Sequence, residues 1–545
     1  MPFNLATVHD RIAKAIPDRT SLIFRNRKFS YGELNERTNR FANLLMDIGV
    51  RTPQDRQTLP GYKSGQDHVA LYLQNGNEYL ESMVGAMKAR AAPINVNYRY
   101  VADELRYLLT NSETRFLVYH ARYAPVVATI LTDIPHQKAL IQVADESNSP
   151  LLDGAIDYEA GLMAASPQTP DCDPSPDDLY ILYTGGTTGL PKGVLWRQAD
   201  ILASALGARR KDGEIMTDLE EFADRAKTIK VQTYLPTPPF MHGTAQWISL
   251  SAWHNGHTIV IQDEVHRYNP DDLLRNIDRH QINIISLVGD AFANPFLTAL
   301  NAGQYSTASL THILNGGAGM SPSVKGALLD RLDSIKIVDT IGSSEAGPLA
   351  RQTASSTSSP RTRPARIGDS FVLTADKSRR LEAGSEELGW LAKTGHVPLG
   401  YLNDPEKTAD TFPTIDGVRY SVPGDRVRLL HDGQLDFYGR DSSSINSGGE
   451  KIFAEEVEQA LARHPSVADV LVSWRPSDRW GQEVVALVAT AAGETIDPKQ
   501  LTDHAGQYLA RYKLPKAIII VDKVQRHDNG KPDYVWAKSM ATKAA

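Results

Sequence analysis

Residues 179–193 decide the fold and read Leu-Tyr-Ile-Leu-Tyr-Thr-Gly-Gly-Thr-Thr-Gly-Leu-Pro-Lys-Gly. The first five are apolar or aromatic and predict a buried strand, and the segment from Trp196 onward is compatible with a helix. Glycines in the intervening loop allow backbone N–H groups to converge on an anion, threonine hydroxyls add donors, and Lys192 adds a positive charge. The stretch therefore predicts a phosphate-binding loop.

This loop is distinct from the phosphate loop of nucleotide hydrolases, in which Gly-Lys is followed by Ser or Thr. Here the lysine follows a proline and precedes a glycine. An ordinary Gly/Thr-rich turn is the alternative, but the eleven-residue string over 183–193 is too specific for it. The candidate phosphate-binding residues are Thr184, Gly185, Gly186, Thr187, Thr188, Gly189 and Lys192.

Strands and helices alternate on both sides of the loop. Short apolar runs at 69–73 and 116–119 predict strands, and the segment beginning at Pro270 predicts a helix that is followed by a strand over 282–287. Strands that alternate with helices of this length favour parallel α/β architecture. Residues 352–365 are polar and predict an exposed loop.

The pattern changes near residue 440. Beyond it we predict a helix over 454–463, strands over 467–473 and 484–488, a helix over 498–512 and a strand over 517–521. This is a compact α+β unit of ordinary domain size. The sequence thus predicts a large N-terminal domain over 1–439, a hinge linker over 440–444 and a mobile C-terminal domain over 445–545.

Composition excludes several classes of protein. The chain has 545 residues, 58 Lys and Arg against 65 Asp and Glu, and a net charge of −7. It has too much apolar material for a disordered chain and lacks the basic field of a nucleic-acid-binding protein. A single cysteine, the absence of a signal-peptide pattern and the lack of an 18-residue apolar run predict a cytoplasmic protein without a transmembrane segment. A homodimer is left open.

The phosphate loop resembles that of the adenylate-forming superfamily, which contains acyl-CoA synthetases, luciferases and the adenylation domains of peptide synthetases. In the usual form a serine stands where this chain has Gly185, which removes one hydroxyl donor. The resemblance extends over nearly the whole chain. It implies an N-terminal domain of mostly parallel α/β sheets with a β-barrel-like subdomain, and a small α+β domain on a hinge.

The resemblance also implies roles for residues in four further motifs. The segment Thr340-Ile-Gly-Ser-Ser-Glu places Ser344 at the α-phosphate and Glu345 on Mg²⁺, although Ile341 replaces the aromatic that usually stacks on adenine. The remaining nucleotide contacts lie in Asn315-Gly-Gly-Ala-Gly-Met-Ser, Tyr420-Ser-Val-Pro-Gly-Asp and Leu435-Asp-Phe-Tyr-Gly-Arg. They are Gly317 and Ala318 at the adenine and acyl pockets, and Asp425 and Arg440 at the ribose.

Three other sites follow from the same resemblance. Lys531, in Asn-Gly-Lys, corresponds to the catalytic lysine, and His242 corresponds to a residue past which the carboxylate moves. The hinge residue, usually Asp or Lys, is Ser442, and a frequent lysine is replaced by Asn446. The face that receives CoA is formed by Gly448, Gly449 and Glu450.

The implied reaction uses ATP, Mg²⁺ and CoA to convert a small-molecule carboxylic acid to its CoA thioester through an acyl-adenylate, with Lys192, His242 and Lys531 in the catalytic site. Strings such as Gly193-Val-Leu-Trp-Arg197 look like actinobacterial fatty-acyl and steroid-side-chain CoA ligases and favour a bulky hydrophobic acid. Three alternatives stay open: an acyl-AMP ligase that supplies a carrier protein, a luciferase-like oxygenase, and a non-catalytic nucleotide- or acyl-binding protein.

Overall fold

The structure is a computed structural model that describes residues 2–184, 190–332, 334–357, 363–441, 444–447, 450–477, 480–509, 511–527 and 530–543, with backbone alone at 446, 450, 451 and 481. Its α-helices are α1 (Leu5–Ala15), α2 (Tyr31–Asp47), α3 (Asn77–Lys88), α4 (Ala102–Asn111), α5 (Ala124–Ile130), α6 (Tyr158–Ala164), α7 (Gln198–Ala205), α8 (Leu219–Thr228), α9 (Gly243–His254), α10 (Pro270–His280), α11 (Gly289–Ala302), α12 (Pro322–Arg331), α13 (Pro405–Thr411), α14 (Ala454–Leu461), α15 (Pro498–Ala505) and α16 (Tyr534–Lys543).

The strands of the N-terminal part as far as the nucleotide motifs are β1 (Thr20–Phe24), β2 (Arg27–Ser30), β3 (His68–Tyr72), β4 (Ala92–Asn95), β5 (Phe116–His120), β6 (Ala139–Val143), β7 (Ile156–Asp157), β8 (Leu179–Thr184), β9 (Lys192–Arg197), β10 (Thr233–Leu235), β11 (Thr258–Ile261), β12 (Ile284–Leu287), β13 (His312–Gly316), β14 (Lys336–Ser343), β15 (Gly347–Ser355) and β16 (Ala365–Arg366).

The remaining strands are β17 (Ser370–Leu373), β18 (Gly389–Lys393), β19 (Gly400–Tyr401), β20 (Thr414–Ile415), β21 (Val418–Arg419), β22 (Asp425–Leu429), β23 (Leu435–Arg440), β24 (Ser444–Ser447), β25 (Glu450–Phe453), β26 (Val467–Ser477), β27 (Gly481–Thr490) and β28 (Ala517–Ile520).

Two large sheets form most of the N-terminal part. One has the strand order β16-β15-β14-β13-β12-β10-β11-β1-β2 and the other β19-β9-β8-β4-β3-β5-β6-β7. Their central pairings are parallel and antiparallel strands lie at their edges. One hydrophobic core contains residues of both sheets, such as Ile259 of the first and Leu182 of the second. This arrangement confirms the predicted α/β class.

The segment directly after the phosphate loop is a strand that was not predicted from the sequence, and the helix predicted from Trp196 onward begins two residues later, at Gln198. β9 pairs antiparallel with β8, with Thr184 opposite Lys192 and Tyr180 opposite Trp196, and α7 begins only at Gln198. Trp196 is fully buried. Because the run is apolar on successive residues, it suits a strand that is covered on both faces. The phosphate loop is therefore followed by a strand and not directly by a helix.

A second prediction needs correction at residues 352–355. They belong to β15, which pairs along its length with β14, and do not form part of an exposed loop. This part of the strand was missed at the level of sequence because its side chains are partly exposed and resemble the polar residues that follow. Of the rest of the predicted loop, residues 358–362 lie outside the described part of the chain.

A third sheet, β17-β18-β22-β23, is antiparallel throughout and separate from the two large sheets. The β-barrel-like subdomain stays a prediction. The C-terminal part contains a five-stranded sheet in which β26 and β27 form a long antiparallel pair and β28 joins β27 in parallel. α15 ends at Ala505, earlier than the predicted 512. The exact domain limits and the hinge stay predictions. In the described ranges, no helix combines the length and apolarity needed to cross a membrane.

Glu458 of α14 offers a test of this C-terminal fold. Its Oε1 accepts from the N–H of Val472 at 2.8 Å, and burial, followed by the nearby charge of Glu455, raises the pKa of Glu458 to about 8. A carboxyl group with a raised pKa binds a proton in the folded state that the unfolded state releases. Folding stability therefore falls as pH rises from the ordinary glutamate range to about 8.

We expect Glu458→Gln to remove this loss because the amide keeps an acceptor for Val472 without a charge. From pH 5 to pH 8.5, the unfolding free energy of the variant should rise relative to that of the unchanged protein by up to about 4 kcal/mol, since each pKa unit corresponds to about 1.4 kcal/mol. Urea unfolding at both pH values measures the difference. Glu494→Gln, at an exposed position of the same part of the chain, is the control. An equal effect of Glu458→Gln at both pH values would contradict the expectation.

Candidate active site

The predicted motifs meet where parallel strands end. Thr184 ends β8, Gly316 ends β13 and Ser343 ends β14, so the loops that follow lie at the carboxyl edges of both large sheets. In open α/β sheets this edge is where ligands bind. Residues Gly185, Gly186, Thr187, Thr188 and Gly189 lie outside the described residues, so their phosphate contacts stay predictions.

Lys192 lies at the start of β9 and forms an ion pair with Asp404. Asp404 is the N-cap of α13, where its Oδ1 accepts from the N–H of Lys407 at 2.9 Å. The ammonium of Lys192 is thus held at the end of the phosphate loop. Asp404 was not predicted from the sequence. The available signal was the Asp-Pro pair typical of a helix start.

Glu345 follows β14 and is held by a tyrosine that the sequence did not indicate. The hydroxyl of Tyr401 donates to Glu345 Oε1 at 2.9 Å, and the backbone on either side is fixed by Trp196 and Ser421, which donate to the carbonyl oxygens of Ser344 and Glu345. A single carboxylate beside a polyphosphate suits Mg²⁺, which usually takes one or two protein carboxylates and completes its shell with phosphate and water. Glu345 therefore fits the predicted ligand.

Asp425 and Arg440 face each other across the antiparallel pair β22 and β23. Arg440 Nε lies 3.3 Å from Asp425 Oδ1, and Asp425 is only 3% exposed. Burial raises the pKa of Asp425, while the positive charge of Arg440 opposes this rise. Asp425 and Arg440 are fifteen residues apart in the sequence and come from different motifs, yet they form one polar pair. This proximity is what two contacts to the same ribose would require.

Gly317 and Ala318 are held in place by Asn315. Its amide nitrogen donates to the carbonyl of Ala318 at 3.1 Å and to Asp339 at 2.7 Å, and its Oδ1 accepts from the N–H of Gly289 at 2.8 Å. Asn315 therefore joins the predicted adenine-binding loop to the first residue of α11.

His242 lies directly before α9 and has a buried Nε2 without a hydrogen-bond partner in the portion of the chain that the structure describes. Burial, then the positive charges of Lys531 and Arg99, lower the pKa of His242 to about 3. The imidazole is therefore neutral at physiological pH. A buried polar atom without a partner is costly unless a bound ligand satisfies it.

Lys531 is brought to this cleft from the C-terminal part of the chain. It lies close enough to Glu345, Arg440 and His242 for their charges to act on one another. Its side chain keeps contact with solvent, yet the protein around the cleft desolvates the ammonium, and this desolvation, followed by the charge of Arg440, lowers the pKa of Lys531. The preceding Gly530 packs against Val288 and Ala291, beside the start of α11.

The residues predicted for the hinge and the CoA face are not part of this geometry. Ser442, Gly448 and Gly449 lie outside the described residues, as do the side chains of Asn446 and Glu450. The structure thus brings together Lys192, Ser344, Glu345, Asp425, Arg440, His242 and Lys531. The CoA face stays a prediction.

Comparison with protein families gives two matches. Residues 9–377 match the model of AMP-binding enzymes and residues 456–531 match that of the AMP-binding enzyme C-terminal domain. The medium-chain acyl-CoA ligase Mig of Mycobacterium avium is 47% identical over 99% of this chain and 98% of its own. The 3-oxocholest-4-en-26-oate–CoA ligase of Rhodococcus rhodochrous is 38% identical over 99% of this chain and 96% of its own.

Solved structures share the fold. ATP-bound MatB from Rhodopseudomonas palustris superposes with a TM-score of 0.81 at 20% identity, covering 99% of this chain and 100% of that one. The anthranilate CoA ligase AuaEII in complex with anthranoyl-AMP gives 0.80 at 19% identity, covering 100% and 98%. The family model and the full-length relatives together establish that this chain belongs to the AMP-binding enzyme family, which confirms the resemblance its motifs predict.

Proposed function

We propose that this protein is an AMP-forming ligase that joins a hydrophobic carboxylic acid to CoA through an acyl-adenylate. The observation that carries the proposal is the position of Lys531. A lysine from the C-terminal part of the chain lies within electrostatic reach of Glu345 and Arg440, which stand at the sheet edges of the N-terminal part. A protein that only bound nucleotide would not need this lysine at the reacting end of the cleft.

In the first half-reaction a carboxylate oxygen attacks the α-phosphorus of ATP and pyrophosphate leaves. The barrier is the repulsion between a carboxylate and a polyanion. Lys192 and Lys531 offset it with positive charge, and Asp425 and Arg440 orient the ribose. Glu345 would hold Mg²⁺, which would supply further charge neutralisation when bound. Fixed charges in a partly desolvated cleft act strongly on such a step because they need no reorganisation during the reaction.

In the second half-reaction the sulfur of CoA attacks the acyl carbon and AMP leaves. Lys531 must withdraw so that the CoA thiol can approach the same carbon. We infer that the C-terminal domain turns about Ser442 and presents Gly448, Gly449 and Glu450, where glycines leave space for the pantetheine arm. Rotation absorbed by a few linker residues is a common form of domain closure.

The acid is expected to be large and apolar, either a medium- to long-chain fatty acid or a steroid side-chain carboxylate. The names of the two full-length relatives support both classes. Phe240 and Met241 next to His242 are buried, as are Phe292 and Phe296 of α11, and Phe292 lines a small cavity together with Thr237 and Pro239. Hiding apolar surface stabilises a bound acid by about 25 cal/mol per Å². A cytoplasmic location stays a prediction.

A panel of acids tests this proposal. Acetate, octanoate, palmitate and a steroid side-chain acid are incubated with ATP, Mg²⁺ and CoA, and AMP and acyl-CoA are measured separately. We expect acyl-CoA to form with the highest kcat/KM on a large acid. A higher kcat/KM on acetate would contradict the substrate class. Adenylate without thioester would indicate a carrier-dependent ligase, oxygen uptake an oxygenase, and the absence of acid-dependent pyrophosphate exchange a binding protein.

A further inference from the structure

One short segment, residues 400–404, contacts both charged groups assigned to the triphosphate and its metal. Asp404 pairs with Lys192, and Tyr401 donates its hydroxyl to Glu345 Oε1 at 2.9 Å. The two contacts come from residues only three positions apart. Their targets belong to different sheets, since Lys192 begins β9 and Glu345 follows β14.

The segment is itself anchored next to the phosphate loop. Tyr401 in β19 pairs antiparallel with Val194 of β9, and the N–H of Leu402 donates to the carbonyl of Gly193 at 2.8 Å. Thr408 in α13 ties its two ends together, because its hydroxyl accepts from the N–H of Tyr401 at 2.9 Å and donates to the carbonyl of Asp404 at 2.6 Å. The segment is therefore hydrogen-bonded directly to β9, the strand that carries Lys192.

Asp404 presents one defined oxygen to the lysine. Its Oδ1 is used as the N-cap acceptor of α13, which leaves Oδ2 for Lys192. Partial burial opposes ionisation, but the hydrogen bonds from Lys192 and from the N–H of Lys407 lower the pKa of Asp404. The carboxylate is thus charged at neutral pH, and its orientation is set by the helix cap and does not depend on the lysine.

Tyr401 is suited to hold a carboxylate. Its ring is 5% exposed and packs against Phe412 with centroids 5.7 Å apart. A carboxylate has no hydrogen to give, so the phenolic hydroxyl of Tyr401 is the donor in this hydrogen bond. One oxygen of Glu345 is fixed in this way, and the carboxylate retains its second oxygen for a cation.

We propose that residues 400–404 form a positioning element that sets the separation between Lys192 and Glu345 before ATP arrives, with Asp404 fixing the ammonium and Tyr401 fixing the carboxylate. This inference rests on the proposed function, which makes both targets contacts of MgATP. Tyr401 and Asp404 are positioning residues, because each acts through a side chain that touches the nucleotide or its metal. A carboxylate that is already oriented binds a cation at a smaller entropic cost.

The test measures binding of α,β-methylene-ATP by calorimetry, with Mg²⁺ and again in EDTA. Tyr401→Phe keeps the ring against Phe412 and removes the hydroxyl alone. We expect about tenfold weaker binding with Mg²⁺ and unchanged binding in EDTA, because only the metal contact depends on the orientation of Glu345. Equal weakening in both conditions, or no change in either, would overturn the role of Tyr401.

The second variant, Asp404→Asn, separates positioning from competition. Asparagine is as good an N-cap as aspartate, so α13 should be retained while the negative charge beside Lys192 is lost. We expect the analogue to bind more weakly both with Mg²⁺ and in EDTA. Tighter binding would mean that Asp404 competes with the triphosphate for Lys192, and the positioning account would then be wrong.

Matched controls keep the inference separate from the proposed function. Tyr119→Phe removes a buried hydroxyl that donates to Gln142 at 2.9 Å in the same sheet, away from the cleft, and should leave both affinities unchanged. Thermal unfolding of each variant shows whether the fold is retained. If the unchanged protein does not bind the analogue at all, the proposed function fails. If it binds and the variants behave like it, only the positioning element fails.

Discussion

Lys531→Ala should lose acid-dependent pyrophosphate exchange by a factor on the order of 10²–10³, the usual cost of removing one preorganised electrostatic contact to the reacting group. The structure brings this ammonium close to Glu345, Arg440 and His242, where a carboxylate and the α-phosphate would meet. Removing it leaves the repulsion between these two anions without one of its main counter-charges.

The same variant should still convert supplied acyl-adenylate and CoA to thioester at nearly the unchanged rate. In the proposed cycle Lys531 withdraws before that step, so its side chain should contribute nothing to the second barrier. Both half-reactions are measured on one preparation. Lys523→Ala, which removes an exposed lysine of the same part of the chain, should change neither. If Lys531→Ala slows both steps alike, the two-conformation account of this chain is wrong.

Short contiguous motifs explain why much of this site could be predicted from sequence. Lys192 lies in a string whose composition is itself unusual. Glu345 and Lys531 were assigned through the resemblance of their short motifs to the adenylate-forming superfamily, and neither assignment required the fold. The architecture followed from the alternation of apolar runs with amphipathic helices. Both signals are local, and local signals survive in a single sequence.

The contacts that hold these residues could not be found in this way. Asp404 is 212 residues from Lys192, and Tyr401 is 56 residues from Glu345. Neither pair forms a pattern along the chain, because sheet topology alone brings the partners together. Strand β9, which follows the phosphate loop, was missed for a related reason. An apolar run such as the one ending at Trp196 suits a buried strand or a buried helix equally well until its pairing partner is known.

We expect Gly530→Ala to displace Lys531, because Gly530 precedes the lysine and packs against the start of α11. Gly530 has a φ of +78°, and a Cβ there would lie 2.9 Å from the carbonyl oxygen of Val288, 3.1 Å from Val288 Cγ1 and 3.4 Å from Ala291 Cβ. The first separation is shorter than van der Waals contact allows. The loop that carries Lys531 must therefore move away from α11, and we expect pyrophosphate exchange to fall by about 10²-fold, since small displacements of a reacting group have costs of this size.

Substitution of Gly493, in the same part of the chain, is the control that distinguishes the effect of this clash from the effect of backbone strain. Gly493 has a φ of +81°, and a Cβ there would meet nothing within 4 Å. An alanine at either position would be forced into the left-handed conformation, which costs about 1 kcal/mol of stability in both cases. Only the substitution at Gly530 adds a contact with α11, so Gly493→Ala should lose stability to a similar degree and keep pyrophosphate exchange.

In the proposed cycle, the contact between Gly530 and Val288 exists only while Lys531 is at the cleft. If the C-terminal domain turns to admit CoA as proposed, Gly530 leaves α11 and a methyl group there would have nothing to meet. Gly530→Ala should therefore convert supplied acyl-adenylate to thioester as the unchanged protein does, while its first half-reaction is slow. Two outcomes would contradict this account: equal losses of Gly530→Ala in both half-reactions, and a loss of pyrophosphate exchange in Gly493→Ala as large as that in Gly530→Ala. Either would show that backbone strain or unfolding, and not the contact with α11, controls the position of Lys531.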